Sequence, residues 1–235
     1  MLFRRAYIYT FSVLLYPALF AGCSNTVLYN NLYEERSSFF YFTGEILFPE
    51  TVTNTYRMRD FISSGYFSEY KKYNGDLNSI DEMYKYALWL TDNDIPQSFF
   101  IISLATLPYK RTPAKIPVLN LDMMFYFSME TDSSFKKRFE NLPSHFLSDS
   151  PPGSFGDKDK LPHFFGSAFI GYSSDMKFLS KYIGDIIEIG EAFFSLEGYY
   201  DERDRKTNDI GAEFGLCSLR NPTVNPSEFL SKWKK

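Results

Sequence analysis

The beginning of this chain constrains it most: Arg4 and Arg5 precede an apolar run from Ala6 to Phe20, and the small residues Ala21-Gly22 stand directly before Cys23. A cationic start, an apolar core too short to span a bilayer comfortably and small residues before a cut are the parts of an export signal. Cysteine just after the cut adds a second requirement, a thiol carrying a diacylglyceryl thioether. These residues predict removal of 1–22 and lipid on Cys23. What folds is then the remaining 213 of 235 residues, enough for one sizeable core behind an N-terminal tether.

On these residues the chain resembles a bacterial lipoprotein precursor, with Phe20 in place of the usual Leu at the third position before Cys23 and Leu19 beside it. The resemblance implies an exported chain, lipid-anchored in the cell envelope, on the periplasmic face or the cell surface. The membrane is the expected partner through that lipid, with an envelope protein as a second. Loss of Arg4 and Arg5 moves the formal charge from −4 to −6, and the basic runs are short (Lys71-Lys72, Lys136-Lys137-Arg138, Lys234-Lys235). A mildly acidic surface of this kind argues against nucleic acid as a partner. No later run reaches membrane-spanning length, so a soluble body is expected on the anchor. With Cys23 lipidated, Cys217 has no partner for a disulfide and reads as a small buried hydrophobe. The 25 Phe and 18 Tyr predict an aromatic-rich core.

Periodicity gives the organisation. Met58, Phe61, Ile62 and Phe67 place a helix over Thr55 to Tyr73, broken at Ser63-Ser64-Gly65. Ser79 and Glu82 match a capping box for a second helix that stops near Asp92-Asn93-Asp94, before Pro96. Ser98 to Leu107 reads as extended, with helix left open because periodicity alone cannot decide a short apolar run, and Leu119 to Phe127 alternates with period two, so the two runs suggest a β-ribbon packed on helices. A short helix follows at Asp132 to Asn141, and the Pro-, Ser- and Gly-rich stretch Pro143 to Asp157 reads as a boundary or linker. Three helices close the body: Leu161 to Tyr172, Phe178 to Leu196 and Arg205 to Leu216.

The last third carries a polar constellation. Asp159 can cap the first of these helices, and His163 falls in its first turn, where the positive helix end favours a neutral imidazole. Glu188 and Glu191 share a face of the second. Arg203 stands just before the third, which carries Asp204, Asn208, Gly211 and Gly215 at spacings of four, three and four on one stripe. The two glycines remove bulk and let another helix approach closely, and Asp204 can cap its own helix.

The order Asp159-Lys160, His163-Phe164, Glu191, Arg203, Asp204, Asn208, Gly211 and Gly215 resembles the VanZ-like proteins and related bacterial lipoproteins of unknown function, over roughly residues 157–216. VanZ-like proteins carry these residues in transmembrane helices, whereas the second helix here holds Lys181, Asp185, Glu188 and Glu191 and is costly to place in lipid. The resemblance therefore implies a soluble version packed on the N-terminal part, and it lends no chemistry. The expected layout is a signal at 1–22, a lipid-anchored tether and lead-in at 23–54, a helical and β-ribbon part at 55–150, a VanZ-like helical part at 151–220 and a polar tail at 221–235. The expected fold class is α+β, mostly helical, with a small β-ribbon packed on helices and a C-terminal three-helix unit.

One imidazole with carboxylates suits a divalent cation, but a lone His without a second His or Cys at ligand spacing specifies none, and no nucleophile motif accompanies it. The cluster of His163, Glu188, Glu191, Arg203, Asp204 and Asn208 is expected to be a hydrogen-bond network fixing helix packing, without cofactor or metal. The function expected is contact-based and non-catalytic. The alternative is an exported enzyme or metal-binding protein using His163, Glu191 and Asp204. His145 reads as an exposed loop residue.

Overall fold

The computed structural model describes residues 50–116, 121–126, 128, 130–174 and 202–233. Cys23, Glu188, Glu191 and the expected helix Phe178 to Leu196 lie outside these residues. In chain order the elements are α1 (Glu50–Ser63), α2 (Gly65–Leu90), α3 (Ile95–Ala105), β1 (Arg111–Ile116), β2 (Leu121–Tyr126), α4 (Asp132–Asn141), α5 (Lys160–Ser174), α6 (Glu202–Arg220) and α7 (Pro226–Leu230).

The break expected at Ser63-Ser64-Gly65 separates α1 from α2, and Ser64 caps α2 by accepting from Phe67 N–H at 3.1 Å. Within α2, Gly75 takes φ 80° and ψ 168°, which residues with a Cβ avoid. A straight helix would set residues 66 and 82 about 24 Å apart. Tyr66 Oη nevertheless donates to Glu82 Oε1 at 2.8 Å, so the second half of α2 folds back beside the first. The expected capping box is therefore not formed. Glu82 serves Tyr66, and Ser79 Oγ donates to the Gly75 carbonyl at 2.7 Å.

The fold class is corrected here. Ser98 to Leu107, expected as a ribbon strand, is helical through Ala105 as part of α3, whose N-cap Asp94 accepts from Gln97 N–H at 3.0 Å with Pro96 in the first turn. The signals that end α2 also start α3, and a run that is apolar all round shows no period because it is buried among α1, α2 and α5. Among the described residues, strands β1 and β2 pair only with each other, from Arg111 opposite Tyr126 to Ile116 opposite Leu121, and the core is built by helices. A ribbon packed on helices is not seen among these residues.

One apolar cluster runs from Met58 to Trp233, with Phe67, Phe99, Phe164, Phe165 and Phe214 fully buried. Stacked and tilted rings join it: Phe214 lies 5.3 Å from Phe164, 5.2 Å from Phe99 and 5.6 Å from Tyr84. Neither the expected linker nor the expected tail is loose. Asp157, fully buried, accepts from the backbone N–H groups of Phe146 and Leu147 at 3.1 and 3.0 Å and from Ser150 Oγ, closing the stretch 146–157 into a clamp. Asp81 of α2 accepts from Ser227 N–H at 2.8 Å and Ser227 Oγ at 2.6 Å, docking α7 so that Phe229, Leu230 and Trp233 are buried. Cys217 is half-buried against the core, and His145 is exposed as expected.

Two arginines close the C-terminal end of α3, where carbonyls lack partners. Arg59 donates to the Leu104 carbonyl at 3.0 Å, and Arg138 to those of Ala105 and Leu107 at 2.9 and 3.0 Å. Arg138, with no exposed surface, also forms a two-pronged pair with Glu130 at 2.8 and 2.9 Å, and Ser128 Oγ donates to the same carboxylate at 2.5 Å. Burial alone would raise Glu130; the guanidinium beside it outweighs this and holds the carboxyl below its ordinary value.

Lys158 is 2% exposed, yet its Nζ sits 3.9 Å over the Phe139 ring, and burial together with nearby Lys71 pulls the amine down to about 8. Between pH 8 and the ordinary lysine value the unfolded chain holds a proton that the folded chain has released, so the penalty present below pH 8 fades as pH rises. Lys158→Met is expected to stabilise the protein at pH 7 by about 1–2 kcal/mol and to gain less at pH 10. Arg138→Met is expected to cost about 3–5 kcal/mol, most of it recovered when Glu130→Leu is added. Urea unfolding of the variants at the two pH values measures both.

Candidate functional site

Helices α5 and α6 form the most extensive packing in the described fold. Thr207, Gly211, Phe214, Gly215 and Ser218 make a single buried stripe on α6. A Cβ added at Gly211 would fall within 3.0 Å of the Phe164 carbonyl, one at Gly215 within that distance of the Ala168 carbonyl, and one at Gly171 within it of Ala212. The backbones are therefore in direct contact, as the glycine spacing predicts. Contacts advance in the same direction along both helices, from Lys160 with Asp204 to Ala168 with Gly215, so α5 and α6 run parallel and their N-terminal ends lie side by side.

At that shared end the polar residues meet. Lys160, 1% exposed, gives its Nζ to Asp159 Oδ2 at 2.8 Å and to Asp204 Oδ1. His163, 6% exposed, has its Nε2 3.5 Å from the same Asp204 oxygen. Asn208 Oδ1 accepts from Ser167 Oγ at 3.0 Å and lies 3.2 Å from His163 Nδ1. With this amide orientation Nδ1 carries the ring proton and the Nε2 lone pair faces the Lys160–Asp204 pair. Burial holds the imidazole below its ordinary range, with Asp204 and Asn208 pulling the other way without prevailing. The ring is neutral at pH 7, as expected, with burial as the leading cause.

Of the sequence-derived cluster, His163, Asp204 and Asn208 come together, joined by Lys160. Ser167 was missed, although it stands four residues after His163 and so on the same helical face. Asp204 does not act as the N-cap: α6 begins at Glu202, which leaves Asp204 in the first turn and free to reach across to Lys160. Asp159 likewise serves Lys160 through Oδ2, while its buried Oδ1 has no hydrogen-bond partner.

Arg203 belongs to a neighbouring set. Its Nη2 donates to Asp157 Oδ1 at 2.6 Å and Asp149 Oδ1 at 3.1 Å, and its guanidinium lies 5.8 Å from the Trp233 ring, tying the 146–157 clamp and the C-terminal segment to α6. Asp149 and Asp157 were missed because they lie in the stretch read as a linker. Among the described residues no group of three or more His, Cys, Asp or Glu is placed to hold a metal ion. The chemistry this arrangement performs best is mutual satisfaction of buried polar groups.

Two variants probe it. Gly215→Val is expected to force α5 and α6 apart and cost about 2–3 kcal/mol. In a cycle of His163→Ala, Asn208→Ala and the double variant, a coupling of at least about 0.5 kcal/mol is expected from denaturant unfolding, and strict additivity would show that the two do not interact.

No family model, no curated protein and no solved structure matches the chain.

Proposed function

We propose that the chain is an exported lipoprotein, held on a membrane through lipid on Cys23, whose helical body acts in the envelope by contact and not by catalysis. The anchor is supported by the order Arg4-Arg5, apolar run, Ala21-Gly22-Cys23. No helix among the described residues is long and apolar enough to cross a membrane, which leaves the lipid as the attachment this reading requires. The observation that carries the non-catalytic part is the pairing of Lys160, His163, Ser167, Asp204 and Asn208 with one another across the α5–α6 contact. The order of residues shared with VanZ-like proteins supports reading 157–216 as a counterpart whose polar residues hold helices together outside the bilayer.

A second reading, an enzyme or metal-binding protein using His163, Glu191 and Asp204, is favoured by one observation. The buried His163 ring lies 3.5 Å from the Asp204 carboxylate, and an imidazole beside a carboxylate is a pair that exchanges protons and binds cations.

Mass spectrometry of the N-terminus of the protein isolated from cells is expected to show Cys23 as the first residue, carrying lipid, and Cys23→Ser is expected to move the protein from the membrane fraction to the soluble fraction. An unmodified Cys23 overturns the anchor. For the body, His163→Ala is expected to lower stability without changing zinc binding in a calorimetric titration; lost zinc binding at unchanged stability would establish the second reading instead.

A further inference from the structure

We infer that an aromatic strip across α1 and α2 is the face on which the body lies against a phospholipid bilayer; this rests on the lipid anchor proposed above. The strip runs Tyr70, Tyr66, Phe61, Tyr86, Trp89, with successive ring centroids 6.1, 6.0, 3.9 and 5.5 Å apart. Two of its rings are open to solvent, Trp89 at 70% and Tyr66 at 58%, while Tyr70, Phe61 and Tyr86 are half-buried between and beside them. Rings this large are normally buried, and a connected row of them at the surface marks an interaction site. The row exists because α2 folds back at Gly75, which brings Tyr66 and Tyr86 to either side of Phe61.

Two further observations select the bilayer as occupant. The described chain starts beside the strip, since Asn54 Nδ2 donates to the carbonyl of Leu90, the residue after Trp89. Glu50 follows Cys23 by 27 positions, a stretch that reaches roughly 90–100 Å at most. A lipid on Cys23 therefore keeps this end of the body close to the bilayer, where even weak contacts are populated. The chemistry fits as well, because Trp and Tyr settle at the boundary between headgroups and acyl chains. The charges near the strip are mixed, with Lys72 and Lys85 exposed alongside Glu69, so ring insertion, and not attraction to anionic lipid, is the recognition.

The mature chain from Cys23, with Cys217→Ser so that a single thiol remains, is coupled to a maleimide phospholipid in phosphatidylcholine vesicles. Trp89 and Trp233 are the two tryptophans, and Trp233 is buried, so the environment-sensitive emission belongs to Trp89. Expected are a blue shift on coupling and strong quenching by lipids brominated near the carbonyls, both lost in Trp89→Phe. Trp89→Ser combined with Tyr66→Ser in the uncoupled chain is expected to reduce vesicle partition at least about fivefold at unchanged Tm. Unquenched Trp89 emission in the coupled chain, unchanged partition of the double variant, or a blue shift that grows with protein concentration in the absence of vesicles overturns the inference, the last by showing a second copy on the strip. Chemical coupling replaces cellular lipidation here, so a Cys23 found without lipid in cells overturns the anchor, whereas the vesicle result judges the face.

Discussion

The contact between the α5 and α6 backbones is what the rest of the site depends on. Helices that meet through glycine lie closer than side chains normally permit, and here the approach is made at Gly171, Gly211 and Gly215, along about two turns of α5. Their parallel direction places two positive helix ends together, an arrangement that favours anions nearby. Asp157, Asp159 and Asp204 occupy that end. Lys160 then stands between two carboxylates, which allows a lysine to be almost wholly buried. Widening the helix pair would separate His163 from Asn208 and Lys160 from Asp204 together.

Of the buried cations among the described residues, Arg138, Lys160 and Lys158 are treated in three different ways. Arg138 has carbonyls and a carboxylate on every prong, so its charge also serves to finish α3. Lys160 is neutralised by carboxylates from its own helix start and from α6. Lys158 has a ring face under its amine and, among the described residues, no carboxylate within ion-pair distance, and its proton is correspondingly easy to lose. Burial alone therefore does not predict the state of a lysine in this fold; the groups around it decide.

The local signals that were legible in the sequence are those with a short-range cause. The helix Asp132 to Asn141, the break at Ser63-Ser64-Gly65, and the glycine stripe on α6 follow from caps, breakers and spacing, and the structure holds them where the pattern places them. What could not be read depends on distant partners. The run in α3 lacks periodicity because it is covered on several sides by elements far away in the chain. The stretch after Pro143 looks like a linker until Asp157 gathers its backbone N–H groups, and the polar composition after residue 220 hides the three large residues that α7 and its neighbours bury. At the site, His163, Asp204 and Asn208 were found by helical spacing, whereas the use of Asp159 and Asp204 as ion-pair partners instead of caps is fixed by Lys160 arriving between them.

The bond between Asp81 and Ser227 spans 146 residues and seats the final apolar side chains of the described fold on α2. A chain that emerges N-terminus first thus keeps an apolar surface of α2 and α6 uncovered until residues 226–233 have been made. Synthesis and closure of the core are separated in time. The early helices must wait in a partly exposed state, and the C-terminal segment acts as the latch that ends it.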